Sequence, residues 1–304
     1  MMKSRETAMF RGCGTALVTP FRSDLSVDEE TLRQLTVRQV EQGVHFLVPC
    51  GTTGESPTLS RSEQLRSVEI VLSEVQGKVP ILAGAGGYNT QNIIELAHAL
   101  EAMGVDGLLS VTPYYNRPTP EGLFEHYSAI SAATELPIVV YNVPSRTGTN
   151  LTPEILGRLA SIENIVGVKE ASGDIAQIAS IFNHVPESFV VLAGDDAVTL
   201  PLMSLGGAGV VSVVSNEIPG EMAKLCDFCL QGNFEDALKI HRRYSALMDV
   251  NFIESNPGPV KAALAMMGLI EMYYRLPMVP PRQENQGKIA EILKEVGIKA
   301  PTVS

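Results

Sequence analysis

Lys169 ends an apolar run in "NIVGVKEASGD" (164–174), where a core strand would be expected to finish on a hydrophobic residue. Lysine is among the residues least often buried without a partner. Burial disfavours an ammonium, and a lysine held near a pKa of ~7–8 attacks carbonyls and forms Schiff bases. The alternative is a structural ion pair with a carboxylate such as an Asp of "GDD" (194–196). Of the nine lysines, only Lys169 caps a core strand on the reactive side. Lys3, Lys239, Lys288, Lys294 and Lys299 lie in the N-terminal tail or on polar helix faces, and Lys224 lies in a polar helix turn. Lys78 precedes a strand, and Lys261 begins a late helix in "NPGPVK".

A Schiff base also needs a proton relay, because water must leave the carbinolamine. Tyr141, in "YNVPSRTG" (141–148), stands one strand away and could pass protons to a hydroxyl such as Thr52; the alternative is a core tyrosine with a satisfied hydroxyl. Thr52 and Thr53 sit in the glycine-flanked turn of "CGTTGES" (50–56), whose successive N–H groups and two hydroxyls suit a carboxylate. The turn lacks the Gly-Lys-Ser/Thr of a nucleotide-phosphate loop, and a plain strand-to-helix turn is its other reading. Arg146 could grip a second carboxylate bidentately, or form a surface salt bridge. Tyr114 and Tyr115 occupy another strand end, "TPYYNRP" (112–118). The five histidines are scattered without ligand spacing, so no catalytic metal is expected.

These residues share one property: each follows an apolar, β-branched run. Eight such runs, at 14–20, 44–50, 79–86, 106–113, 136–144, 164–170, 189–196 and 208–215, alternate with helical patterns such as 28–42, 60–75, 90–103 and 120–134. Continuous apolar strands alternating with helices imply a parallel sheet covered by helices. Eight units in series predict a (β/α)8 TIM barrel over 1–218, with chemistry at the C-terminal strand ends. A doubly wound open sheet would usually carry G-x-G-x-x-G after its first strand, and "TALVTPF" has none. Helical patterns at 219–231, 233–250, 257–268 and 286–297 predict a C-terminal helical extension over 219–304.

Composition narrows the function classes. The chain has 304 residues, 45% of them hydrophobic and 19% charged, with a net charge of −11 and no Lys/Arg block. That balance argues against nucleic acid or an anionic membrane as a partner, and an anionic substrate would need a local positive site. No apolar run approaches a membrane-spanning length, and "MMKSRETAMFRGC" lacks the apolar segment of a signal peptide. Four cysteines in a chain this long fit a reduced, cytoplasmic protein, and Cys226 and Cys229 read as helix packing rather than a zinc or redox pair.

Taken in order, "GTTGES" (51–56), "TPYYNRP", "YNVPSRTG", "GVKEASGD" (167–174) and "GDD" closely resemble the dihydrodipicolinate synthase family, within the pyruvate-dependent class I aldolases. The resemblance runs from about residue 10 to about 280 and includes "NPGPVK". It implies a (β/α)8 barrel, a homotetramer built as a dimer of dimers, and pyruvate and aspartate semialdehyde as substrates. Lys169 would form the Schiff base, with no separate cofactor. Tyr141 would relay protons through Thr52, and Tyr115 would complete the relay in a neighbouring subunit's site. Thr53 with Thr52 would hold the pyruvate carboxylate, Arg146 the carboxylate of the aldehyde, and Gly194 and Val211 would line the pyruvate pocket. "SRTG" after "YNVP" favours the synthases over sialic-acid lyases and 2-keto-3-deoxy sugar-acid aldolases; a ketoacid sensor without turnover is the rival of a different class. Lysine-inhibited members use His, Asn and Glu side chains at a regulatory site. The corresponding positions here are Arg61, Gln64, Tyr88 and Asn92, and only Ser56 and Tyr114 fit, with Pro57 altering the loop, so weak or absent inhibition by lysine is expected.

Overall fold

Short β-branched runs buried on both faces form the staves of a closed parallel barrel in this computed structural model, which describes residues 9–298. Lys3 and Lys299 lie outside the described residues. The strands are β1 (Gly12–Ala16), β2 (Phe46–Val48), β3 (Leu82–Gly84), β4 (Gly107–Val111), β5 (Ile138–Asn142), β6 (Ile165–Glu170), β7 (Val190–Ala193) and β8 (Gly209–Ser212). They pair in parallel in chain order, and β1 pairs β8. The β2–β3 seam is closed more sparsely, by Leu47 N donating to Pro80 O and Gly84 N to Pro49 O, both at 3.0 Å.

The first strand begins earlier than its apolar pattern predicts, at 12 rather than 14, and ends at 16 rather than 20. Gly12 and Cys13 fall outside the predicted run, whereas Gly14, where a Cβ would stand 2.1 Å from the Phe46 ring, lies within both. The glycine therefore stays in the ladder to make room for that ring. Past Ala16 the chain makes one more ladder bond, Leu17 N to Val48 O at 3.1 Å, and then turns through Pro20.

Side chains alternate across each strand. Phe46, Val48, Leu82, Leu109, Val139, Leu192 and Val211 fill the barrel, while a larger apolar layer packs the strands against the helices. The helices are α1 (Glu29–Glu41), α2 (Arg61–Val75), α3 (Thr90–Met103), α4 (Pro120–Ser131), α5 (Pro144–Thr147), α6 (Pro153–Leu159), α7 (Ile175–Ile181), α8 (Thr199–Ser204) and α9 (Pro219–Leu230). Side-chain oxygens open many of them: Ser60 and Glu63 form a capping box on α2, and Asp174, from the turn behind Lys169, accepts from Ala176 N and Gln177 N on α7. Cys226 and Cys229 are buried along α9, as packing would have them. Among the described residues no helix is long and apolar enough to cross a membrane.

Beyond α9 come α10 (Phe234–Val250), α11 (Gly258–Met266) and α12 (Gln283–Glu295), the last starting three residues before its expected 286. This extension is pinned to the barrel's C-terminal face by polar groups. Lys261 Nζ meets Glu55 Oε1 at 2.5 Å, with both side chains almost fully buried. The ammonium also lies 4.3 Å from the Phe21 ring centroid and 4.9 Å from that of Tyr274. Nearby, Arg275 binds both oxygens of Glu63 at 2.6 and 2.9 Å, an arrangement that holds the Glu63 carboxyl down at about 2.

Removing one partner of a buried ion pair leaves an uncompensated charge, at a cost of about 3–5 kcal/mol. Lys261→Met is therefore expected to lower unfolding stability by about that amount, and adding Glu55→Gln to recover part of it. Urea denaturation of the two variants measures both, and a single Lys261→Met that unfolds like the parent would contradict the pairing.

Candidate active site

Strand register brings the central pair together. Tyr141 on β5 is the direct neighbour of Lys169 on β6, and Lys169 in turn pairs with Leu192 on β7. Tyr141 and Leu192 belong to the cluster inside the barrel, so Lys169, in the same row, also points inward. Its Nζ sits 4.2 Å from the centroid of the Tyr141 ring. Gly194, just past β7, leaves room for the lysine stem, since a Cβ there would stand 3.1 Å from Lys169 Cε. Val211 on β8 is fully buried in the same interior cluster.

Alternation also settles Glu170. It points outward, where its oxygens accept from Ser172 N at 2.7 Å and Asn142 Nδ2 at 2.9 Å. Asn142 ties on to Leu151 N at 2.9 Å. Glu170 thus shapes the turn behind the lysine rather than the site.

Lys169 is 5% exposed, and burial drives its pKa down to about 7; Asp196 opposes the shift and Arg146 assists it. Among the described residues no carboxylate forms an ion pair with it. The two aspartates of "GDD" are engaged elsewhere: Asp196 Oδ2 accepts from Val213 N at 3.0 Å and Val214 N at 2.9 Å, and Asp195 from Ala197 N at 3.0 Å. The structural ion pair considered for Lys169 is therefore not the one formed. Burial pushes the Tyr141 phenol up to about 12, with Arg146 and then Thr52 drawing it partly back, so at rest it is a proton donor.

A cavity of about 570 Å³ reaches Tyr141, bounded by Thr52, Tyr141, Val143, Arg146 and the Gly84–Asn89 segment; Lys169, Gly194 and Val211 lie behind Tyr141 and are not among its lining residues. Among the described residues, the N–H groups of Thr52 and Thr53 donate to no backbone carbonyl, whereas those of Gly54 and Glu55 close the turn onto Gly51 and Thr52. Two adjacent free N–H groups are what an anion nest requires. Thr53 is 3% exposed and does not line the cavity; its hydroxyl accepts from Asn256 Nδ2 at 3.0 Å. Arg146 lies on α5 at the cavity wall and donates through Nη2 to Asn256 O at 3.0 Å. Tyr115 is 87% exposed and borders an open recess with Tyr88, Tyr114 and Arg146, apart from Tyr141. Arg61, Gln64, Tyr88 and Asn92 line the far wing of the large cavity, with no carboxylate among them. Ser56, Pro57 and Tyr114 line it as well.

Asn256 and Glu55 play parts that the sequence did not point to, and Asp196, considered only as a partner for Lys169, binds the backbone after β8 instead. "NPGPVK" was visible as a motif, but its reach to a loop some two hundred residues away in the chain has no local signature.

Comparison with known proteins gives a consistent picture. The model of the "Dihydrodipicolinate synthetase family" matches residues 9–296. A 4-hydroxy-tetrahydrodipicolinate synthase of Koribacter versatilis is 52% identical over 289 residues, covering 95% of this chain and 96% of the relative. One from Nitratidesulfovibrio vulgaris (strain Miyazaki F) is 49% identical, covering 95% of this chain and 99% of the relative. The crystal structure of a dihydrodipicolinate synthase from Thermotoga maritima superposes with a TM-score of 0.94 at 45% identity, over 96% of this chain and all of that one.

The electrostatics of Lys169 give a pH dependence. Only the neutral amine attacks a carbonyl, so adduct formation with a small ketoacid is expected to rise with pH through about 7 and then level off. Borohydride trapping across pH 5.5–9 measures it; a midpoint near the ordinary lysine value of ~10.4 would mean a solvated ammonium.

Proposed function

The chain belongs to the dihydrodipicolinate synthetase family, and from that premise we infer that it condenses pyruvate with L-aspartate 4-semialdehyde to 4-hydroxy-tetrahydrodipicolinate, a step of lysine and diaminopimelate biosynthesis. The observation that carries this reading is the pairing of a buried Lys169, its pKa lowered to about 7, with Tyr141 on the adjacent strand.

Neutral Lys169 attacks the pyruvate ketone, with the carboxylate resting on the free N–H groups of Thr52 and Thr53. Tyr141, protonated at rest, delivers a proton to the carbinolamine oxygen, and water leaves to give the protonated imine. That cation is the electron sink, so the reaction needs no separate cofactor. Loss of a methyl proton gives an enamine, whose carbon attacks the aldehyde. The amine of the second substrate then adds to the imine carbon, closes the ring and releases Lys169. One water is lost overall. Arg146, exposed at the rim, holds the carboxylate of the aldehyde substrate. Gly194 and Val211 complete the pyruvate pocket by backbone and packing. The working assembly in this reading is a homotetramer in which Tyr115, largely exposed on its own protomer, serves the relay of a neighbour.

Borohydride reduction with pyruvate is expected to place the adduct on the peptide containing Lys169; an adduct on another lysine would overturn the mechanism. Tyr141→Phe is expected to keep the fold and lose ~10²–10⁴-fold in rate, the usual contribution of a general acid–base group. Near-parental turnover would remove Tyr141 from the relay. L-lysine is expected to inhibit weakly or not at all, because the residues lining the cavity offer no carboxylate to its ammonium. Half-saturating inhibition below a millimolar would contradict that.

A further inference from the structure

Asn256 touches both carboxylate-binding elements at once. Its side-chain amide donates to Thr53 Oγ1 at 3.0 Å, and its main-chain carbonyl accepts from Arg146 Nη2 at 3.0 Å. The residue is 4% exposed and lies just ahead of α11, whose Lys261 is locked to Glu55 beside the same turn. It therefore cannot drift relative to the turn that carries Thr52 and Thr53.

We propose that Asn256 is a positioning residue: its amide holds Thr53 so that the Thr52–Thr53 N–H groups face the pyruvate carboxylate, while its carbonyl sets the reach of Arg146 toward the second substrate. The inference rests on the reading of that turn as the pyruvate-carboxylate site. The hydrogen-bond inventory makes the arrangement directional. A hydroxyl has one proton and two lone pairs. An amide N–H occupying a lone pair of Thr53 fixes the threonine rotamer and leaves its proton free to be donated. A carboxylate in place of the amide offers only acceptors, so it would take that proton and bring a negative charge toward an anion site. The two roles also lie on different atoms. A side-chain substitution at residue 256 abolishes the Thr53 contact and leaves the carbonyl to Arg146 in place.

The test is steady-state kinetics on Asn256→Leu, Asn256→Asp, Thr53→Val and the double variant Thr53→Val/Asn256→Leu, with circular dichroism to check the fold. Asn256→Leu is expected to raise KM for pyruvate by about 3- to 10-fold, the range of one ordinary hydrogen bond, with KM for the aldehyde nearly unchanged. Asn256→Asp should raise it further. Because Asn256 acts through Thr53, the double variant should be no worse for pyruvate than Thr53→Val alone. Parallel rises in both KM values, an unchanged pyruvate KM in both Asn256 variants, or a double variant in which the two effects multiply would each overturn the proposal while leaving the carboxylate site standing. An unchanged pyruvate KM in Thr53→Val would remove Thr53 from that site, and the proposal with it.

Discussion

A lysine held in an apolar interior without a carboxylate is the constraint around which the rest of the site is arranged. Desolvation alone would make the ammonium very costly, and the chain meets that cost by letting the group lose its proton near neutrality. Most neighbours fit this solution, and Asp196, which pulls the other way, is held off the amine. The ring of Tyr141 and the missing side chain of Gly194 leave room for the stem, while Asp196 is kept busy by two backbone N–H groups instead of pairing with the amine. Were Asp196 to swing onto Lys169, the ammonium would be stabilised and the nucleophile lost.

Lys261 makes the opposite case within the same fold. It is also buried, but Glu55 meets it at 2.5 Å and two aromatic rings flank it. Burial lowers its pKa as well, but Glu55 opposes that shift, and the pair fastens the C-terminal extension to the turn after β2. In the proposed mechanism one residue type thus serves chemistry at the end of β6 and architecture at the start of α11. The presence or absence of a carboxylate within bonding distance decides which.

The consequence for the active site is a frame with two sides. The barrel strands position Lys169 and Tyr141, since neighbouring parallel strands place them in register and alternation points them inward. The extension ties the turn after β2 to α5, because Asn256 reaches both Thr53 and Arg146. In the proposed mechanism, the groups that react and the groups that hold substrate are therefore positioned by different parts of the chain.

The sequence by itself determined the barrel and the placement of its reactive groups. Eight apolar runs separated by helical patterns leave few topologies open, and polar residues at strand ends then converge on one face as a matter of geometry. Lys169, Tyr141, Thr52 and Arg146 were legible for that reason, whereas the outward turn of Glu170 into hydrogen bonds with Ser172 and Asn142 is read from the structure. β1 begins two residues before its apolar pattern because Gly12, where a Cβ would stand 2.4 Å from the His45 ring, has no side chain to extend that pattern. Only the tertiary structure decided which lysine is paired and which is not, that Thr53 turns its hydroxyl to Asn256, and that "NPGPVK" braces the turn after β2. Those outcomes depend on distances between segments far apart in the chain, and no local propensity or periodicity encodes such a distance.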